Sequence, residues 1–426
     1  MLNPSSKGWI DKYLNLVHKG EIKLRCDSTC GAAGDHYLHL IFGSSGIIFG
    51  VHSHFIFLNN IGEDKWTKHE KLKVLYFEAM LLIYVEKKYC CGEVLSLDDF
   101  LLKLDDFFKI SGSVEIQSNW LSFLRLNTPN KLEALIDKRT QIPLSIDHKI
   151  WINYLQNSLC FLDVLLFRTY LEKVTEHELT QDRSTLAEGV INTIILAAHA
   201  DGLIERKERT MFDLFLASAD FSEEDRFKFR QLFESGIQLD SLDLICQSSL
   251  IYRKYLLDVA IFTVWSDTDF SENEYGFIQE IGYKLGFNED DLNEAFSIVE
   301  SFVLENRDII PYLKAGNSYD KVFSRLSNRW SKIILRNKDK LYQELVESKE
   351  LVELVRKSAV VELSPEEKDK VKTQFMDIIK SVPALAIFML PGGVILLPLI
   401  LKIIPSLIPS AFRDNEIDAP KDLEED

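Results

Sequence analysis

Apolar positions recur at helical spacing along most of the chain, separated by short polar stretches. Trp9, Ile10, Tyr13, Leu14 and Val17 predict a short amphipathic helix within residues 4–18. The same spacing predicts helices over residues 67–89, 97–110 and 147–173. Residues 36–62 differ, because they hold no Asp, Glu, Lys or Arg and are rich in aromatic and β-branched side chains. Gly43-Ser-Ser-Gly46 interrupts this run, which reads as two or three short strands in a hairpin. A buried helix and a membrane span are the alternatives. The fold class expected is mainly α, with that small β-hairpin in the N-terminal region.

An internal repeat organises the middle of the chain. Val190-Ile-Asn-Thr-Ile-Ile-Leu196 leads to Ala200-Asp201-Gly202-Leu-Ile-Glu205 and then Glu208. At an offset of 66 residues, Leu256-Leu-Asp-Val-Ala-Ile-Phe262 leads to Ser266-Asp267-Thr268-Asp269-Phe-Ser271 and then Glu274. In each copy an apolar helix ends, an acidic turn follows and a second helix begins. Helix capping accounts for these acids, and Ser271-Glu-Asn-Glu274 fits a capping box. The competing reading is a divalent-metal site where the turns carrying Asp201, Glu208, Asp267 and Glu274 meet. It is not an EF-hand, since Glu272 stands where the loop needs Gly and Ile278 where it needs Glu. The repeated A-D-G-x-I-x-x-x-E turn resembles the all-helical tellurite-resistance B (TerB-like) module, a resemblance that implies a metal or stress response. The second copy departs from it at Thr268, where the Gly is missing.

The C-terminal quarter changes character again. Residues 306–364 read as a polar helical connector, with Trp330, Ile333, Ile334 and Leu335 on one apolar stripe and Leu345, Leu351 and Leu354 on another. Ser364 then serves as an N-cap, with Pro365 in the first turn and Glu366 and Glu367 at the positive helix end. Residues 381–401 hold no charged side chain, and about 20 apolar residues in a helix cross the hydrocarbon core. Pro383, Pro391 and Pro398 break this stretch, so a broken span that oligomerises or a short hairpin is expected. Arg356, Lys357, Lys368, Lys370, Lys372 and Lys380 precede it, which places the N-terminal body on the cytoplasmic side.

Five prolines in order, within Leu363-Ser-Pro-Glu-Glu, Asp377-Ile-Ile-Lys-Ser-Val-Pro383, Pro391, Leu397-Pro398 and Lys402-Ile-Ile-Pro405, with Leu407-Ile-Pro-Ser-Ala-Phe412 after them, carry a second resemblance. The segment resembles the membrane part of the leucine-zipper–EF-hand transmembrane (Letm) family of mitochondrial inner-membrane proteins. That likeness implies cation exchange against protons, or ribosome binding at the membrane. In the family a ribosome-binding domain follows the span, whereas here residues 413–426 follow, with seven acids and two bases. The whole arrangement is similar to bacterial proteins described as Letm-related and biofilm-associated.

Five regions result: 1–182 mostly helical, 183–305 the TerB-like repeat, 306–364 the connector, 365–412 the Letm-like membrane segment and 413–426 an acidic tail. A formal charge of −17 argues against a nucleic-acid partner, because phosphate binding needs clustered Lys and Arg. No signal peptide opens the chain, so its six cysteines are expected to be reduced thiols. Cys26, Cys30, Cys90 and Cys91, with His36, His39, His52 and His54, lack the C-x2-C spacing of zinc sites. No phosphate-binding glycine loop, G-x-S-x-G turn or H-E-x-x-H occurs. The expectation is therefore a non-enzyme with no catalytic, cofactor or metal residue. It is read as a scaffold at the bacterial inner membrane in an envelope or biofilm-associated process, with membrane lipid meeting residues 381–412 and a second copy as partner. Letm-like transport or ribosome binding and a soluble metal-responsive binder are the alternatives.

Overall fold

The computed structural model describes residues 2–24, 26, 31–58, 65–111, 128–142, 156–172, 176–242, 249–265, 272–306, 310 and 319–337, and single positions between 339 and 374. The putting-together of these residues is mainly helical, with no strand among them and one isolated bridge between Gln141 and Gln156. Two compact units emerge, Met1–Phe323 and Ser324–Asp426.

The first unit opens with α1 (Trp9–His18) and α2 (Ala32–Ser45), a 3-10 turn at Ile47–Phe49, α3 (Lys68–Cys90), α4 (Leu97–Ile110), α5 (Thr128–Arg139) and α6 (Phe161–Leu171). Local chemistry sets several of these starts. Thr67 Oγ1 accepts from the Glu70 backbone N–H at 3.2 Å while Glu70 Oε2 accepts from that of Thr67 at 2.7 Å, a capping box at the head of α3. Ser96 caps α4 by accepting from Asp99 N–H at 3.3 Å. Every residue of α3 from Leu72 to Glu86 is buried, as expected of a helix apolar on all sides. Trp9 and Tyr13 of α1 meet the Phe77 ring edge-on at 5.5 and 5.3 Å, a geometry worth about 0.5–1.5 kcal/mol per pair beyond area burial.

The expected hairpin is overturned. Residues 36–45 lie within α2, which packs on helices of the repeat, and the chain then turns through Ile47–Phe49. Helices on both sides demand apolar residues on most faces, and that requirement mimics a strand pattern. Gly43 does not break the chain: a Cβ there would lie 2.6 Å from Ile298 Cγ2, so the glycine lets two helices approach. Gly46 ends α2 at φ +82°, a conformation that suits glycine. The helix expected over 147–173 is observed only from Phe161, and residues 143–155 lie outside the described residues.

The repeat is visible as geometry. Helices α7 (Glu176–Ala198), α8 (Arg206–Ser218) and α9 (Glu223–Ser235) are followed by α10 (Leu250–Val264), α11 (Glu272–Lys284) and α12 (Glu289–Asn306). Adding the offset of 66 carries the end of α7 onto that of α10, both ends of α8 onto those of α11, and the start of α9 onto that of α12. The two equivalent helices α7 and α10 pack on each other, and α2 packs against α10 and α12 of the second copy. The last described helix is α13 (Tyr319–Arg336), in which Leu326 and Trp330 are buried. In the second unit Leu351, Leu363 and Val371 are also buried.

Candidate functional site

The turn acids singled out by the repeat are separated in role. Asp201 is exposed and its Oδ1 accepts the Leu203 backbone N–H at 2.9 Å, closing the turn around Gly202 at φ +83°. Glu208, in the first turn of α8, is only 5% exposed and accepts from the Glu205 backbone N–H at 2.8 Å. Burial pushes its carboxyl up to about 8; the backbone bond opposes this, and Asp201, Glu205 and Glu274 add to it. Glu274 belongs to the second copy, so the two turns do converge electrostatically. Asp267 and Ser271 lie outside the described residues. Among the described residues no group of three or more His, Cys, Asp or Glu side chains is arranged to hold a metal ion. A proton on Glu208 relieves the repulsion instead.

The richest chemistry lies elsewhere, where α2 meets α10 and α12. His39 Nε2 lies 2.6 Å from Asp258 Oδ2, and its Nδ1 lies 3.7 Å from Glu294 Oε1. Lys254 Nζ donates to Glu294 Oε1 at 3.0 Å and lies 3.2 Å from His36 Nδ1, while His36 Nε2 is 3.0 Å from Glu294 Oε2. His39, Asp258 and Lys254 are 1%, 0% and 4% exposed, so they are shut off from solutes.

Electrostatics explain how such a cluster persists in the interior. Burial favours a neutral Glu294, but Lys254, His36 and His39 outweigh it and hold the carboxyl well below its ordinary range. Burial likewise opposes the Lys254 charge, and Glu294, Asp291 and Asp258 more than restore it. Burial pulls His39 down and raises Asp258, so the pair competes for one proton. Asp258 and Glu294 outweigh burial at His39 and raise its imidazole, while burial raises the Asp258 carboxyl. With Lys254 and Glu294 ionised, the four groups are together neutral.

This cluster belongs to the second copy alone. At the offset of 66, Lys254, Asp258 and Glu294 correspond to Glu188, Asn192 and Lys228 in the first copy. The fold therefore does not require it. Its signal in the sequence was two charges four residues apart, Lys254 and Asp258, inside the apolar run of α10. His39 sat in the stretch read as strand.

Two further buried carboxylates tie the N-terminal helices together. Asp163 of α6 accepts from Arg183 Nε at 2.9 Å and from the Tyr76 hydroxyl at 3.1 Å, and Arg183 Nη1 reaches Asp220 at 2.7 Å. Glu78 of α3 accepts from the backbone N–H groups of Ile56, Phe57 and Leu58 at 2.6, 3.2 and 2.9 Å and from the Tyr13 hydroxyl at 2.6 Å. Burial still pushes Glu78 up to about 7 against those donors.

Among the described residues, the histidines and cysteines weighed for zinc do not assemble. His54 lies 3.1 Å from Glu305, and His52 packs on Phe55, burial pushing it down to about 3. Cys90 is disulfide-bonded, whereas Cys26, Cys91 and Cys160 are free.

At the C-terminal side the expected cap is present. Ser364 Oγ accepts from Glu367 N–H at 3.2 Å, and Glu367 Oε2 accepts from Ser364 N–H at 3.0 Å. This capping box opens the segment that carries the likeness to known proteins. Residues 363–424 match the family described as LETM1-like, RBD. The Letm relation therefore holds for about one-seventh of the chain. No curated protein and no solved structure matches the chain. Residues 381–412 lie outside the described residues, and among those described no helix is long and apolar enough to cross a membrane.

Proposed function

We propose that the chain is a non-enzymatic, Letm-related helical protein held at the bacterial inner membrane through residues 381–412. Its cytoplasmic, TerB-like body serves as a scaffold in a cell-envelope or biofilm-associated process. The observation that carries this reading is the run of residues 381–401 without a charged side chain, which lies inside the LETM1-like, RBD match. The scaffold role is supported by how the body uses its ionisable groups. His39, Asp258, Asp163 and Glu78 are enclosed and paired, which fastens helices together and leaves them unavailable to a substrate. The three prolines of the stretch call for partners to their freed backbone groups, and a second copy supplies them.

Alkaline carbonate extraction of membranes from cells making the full chain tests the attachment. The protein is expected to stay in the pellet, and release comparable to a peripheral protein would overturn the reading. The second reading is the ribosome binding implied by the Letm resemblance, since the residues matched to the LETM1-like, RBD family, 363–424, run into the tail. Seven acids against two bases in residues 413–426 repel phosphate-rich RNA.

A further inference from the structure

Where α1, α4 and the start of α5 meet there is a groove of about 460 Å³, within the volume range of small-ligand sites. Its α1 wall carries Asp11, Leu14, Asn15 and His18, at the i, i+3, i+4 and i+7 positions of one helix face. The α4 wall repeats the pattern with Asp98, Leu101 and Leu102, and Pro129 of α5 adds apolar surface. Leu14 and Leu101 are buried, whereas Leu102 is 63% exposed, so the groove has an apolar base and an uncovered apolar rim.

The polar lining is rich in acceptors. Asp11 and Asp98 are exposed, one on each helix, and neither has a hydrogen-bond or ion-pair partner among the described residues. His18 Nδ1 lies 2.9 Å from the Leu14 carbonyl oxygen, which can only accept. Nδ1 therefore carries the hydrogen, and Nε2 of the neutral ring is an acceptor. No Lys or Arg is among the lining residues. An acid in the first turn suits the helix dipole, and Asp11 and Asp98 both sit there. The dipole explains neither why the two line one groove nor why leucines lie beside them.

We propose that this groove binds a linear aliphatic diamine, with one ammonium at each carboxylate and the methylene chain over the leucines. An ammonium brings three donors and no acceptor, which matches the lining. The methylene chain covers apolar surface while the charged ends stay wet, as long basic side chains do on proteins. Two carboxylates without a base turn an anion away. A metal ion has no fitting ligand set, since no group of three or more His, Cys, Asp or Glu among the described residues is arranged to hold one.

The net charge of −17 attracts any cation, so the test must separate the groove from that general field. Isothermal titration of the full chain with 1,6-diaminohexane at physiological ionic strength is expected to show one site. Asp11→Asn and Asp98→Asn should each weaken it about fivefold, the upper range for an exposed ion pair. Hexylamine, with a single ammonium, should bind about fivefold less tightly than the diamine. Glu224→Gln is the control, because Glu224 is also an exposed acid in a first turn, that of α9, and should leave binding unchanged. Thermal melts check that the variants stay folded. An absent binding heat, or an equal loss in all three variants, overturns the groove. Hexylamine binding as tightly as the diamine overturns the two-headed ligand. Magnesium binding that Asp11→Asn and Asp98→Asn both lose, without diamine binding, overturns the proposal in favour of a metal ion.

Discussion

Replacing Glu294 by Gln tests the buried cluster at its hub. Glu294 takes the Lys254 ammonium at 3.0 Å and His36 at 3.0 Å, and it faces His39 at 3.7 Å. Gln keeps the shape but removes the charge that balances Lys254, which is 4% exposed and has Asp291 at 3.7 Å as its other direct carboxylate neighbour. Removing one member of a buried pair costs about 3–5 kcal/mol, because the remaining charge is left uncompensated. For a body of this size each kcal/mol lowers the melting temperature by roughly 2 °C, so a fall of about 8 °C is expected. Adding Lys254→Met should return at least about 1 kcal/mol relative to the sum of the single losses. Urea and thermal melts of the four proteins give both figures. A Glu294→Gln melt within about 1 kcal/mol of wild type, or strict additivity in the double variant, would falsify the reading of Glu294 as the hub of the buried cluster.

Further predictions follow from the same interior. Glu78, Glu208 and His39 all hold protons in the folded state that the unfolded chain gives up earlier, with folded values of about 7 for Glu78 and about 8 for Glu208. Stability should therefore decline as pH rises from roughly 4.5 to 8, while the depressed Glu294 removes stability on the acid side, as pH falls below its unfolded value. Urea midpoints across that range check the slope. Glu208→Gln mimics the protonated form and retains the capping geometry, so it should flatten the slope and stabilise by on the order of 2 kcal/mol above pH ~8. An unchanged slope would remove Glu208 as its source. Gly50→Ala should cost more than about 2 kcal/mol, since φ is +65° and the new Cβ would lie 2.5 Å from the Asn157 carbonyl oxygen and 2.6 Å from Ser158 Cα. Its melt is compared with Gly8→Ala, which shares a positive φ but meets nothing within 4 Å.

Legibility in the sequence followed how local each determinant was. Helices α3 and α4 were readable because their apolar residues recur at helical spacing, and the caps observed at their heads, Thr67 with Glu70 and Ser96 with Asp99, are equally local. The repeat was readable because apolar helix, acidic turn and second helix recur at one offset. Helix α2 was misread, since the partners on its several sides are α10 and α12, more than 200 residues away. The same distance hid the cluster. His39 and Asp258 lie 219 residues apart, and only Lys254 and Asp258 at a spacing of four within α10 hinted at it. The acids of the two turns were found in advance, but their outcome depended on burial of Glu208, which spacing alone does not reveal.

The central claim is attachment through the C-terminal segment, and truncation tests it most directly. Cells making the full chain and cells making residues 1–364 are broken and separated by high-speed centrifugation. The account predicts the full chain in the membrane pellet and the truncated chain in the supernatant. Both chains in the supernatant would contradict it.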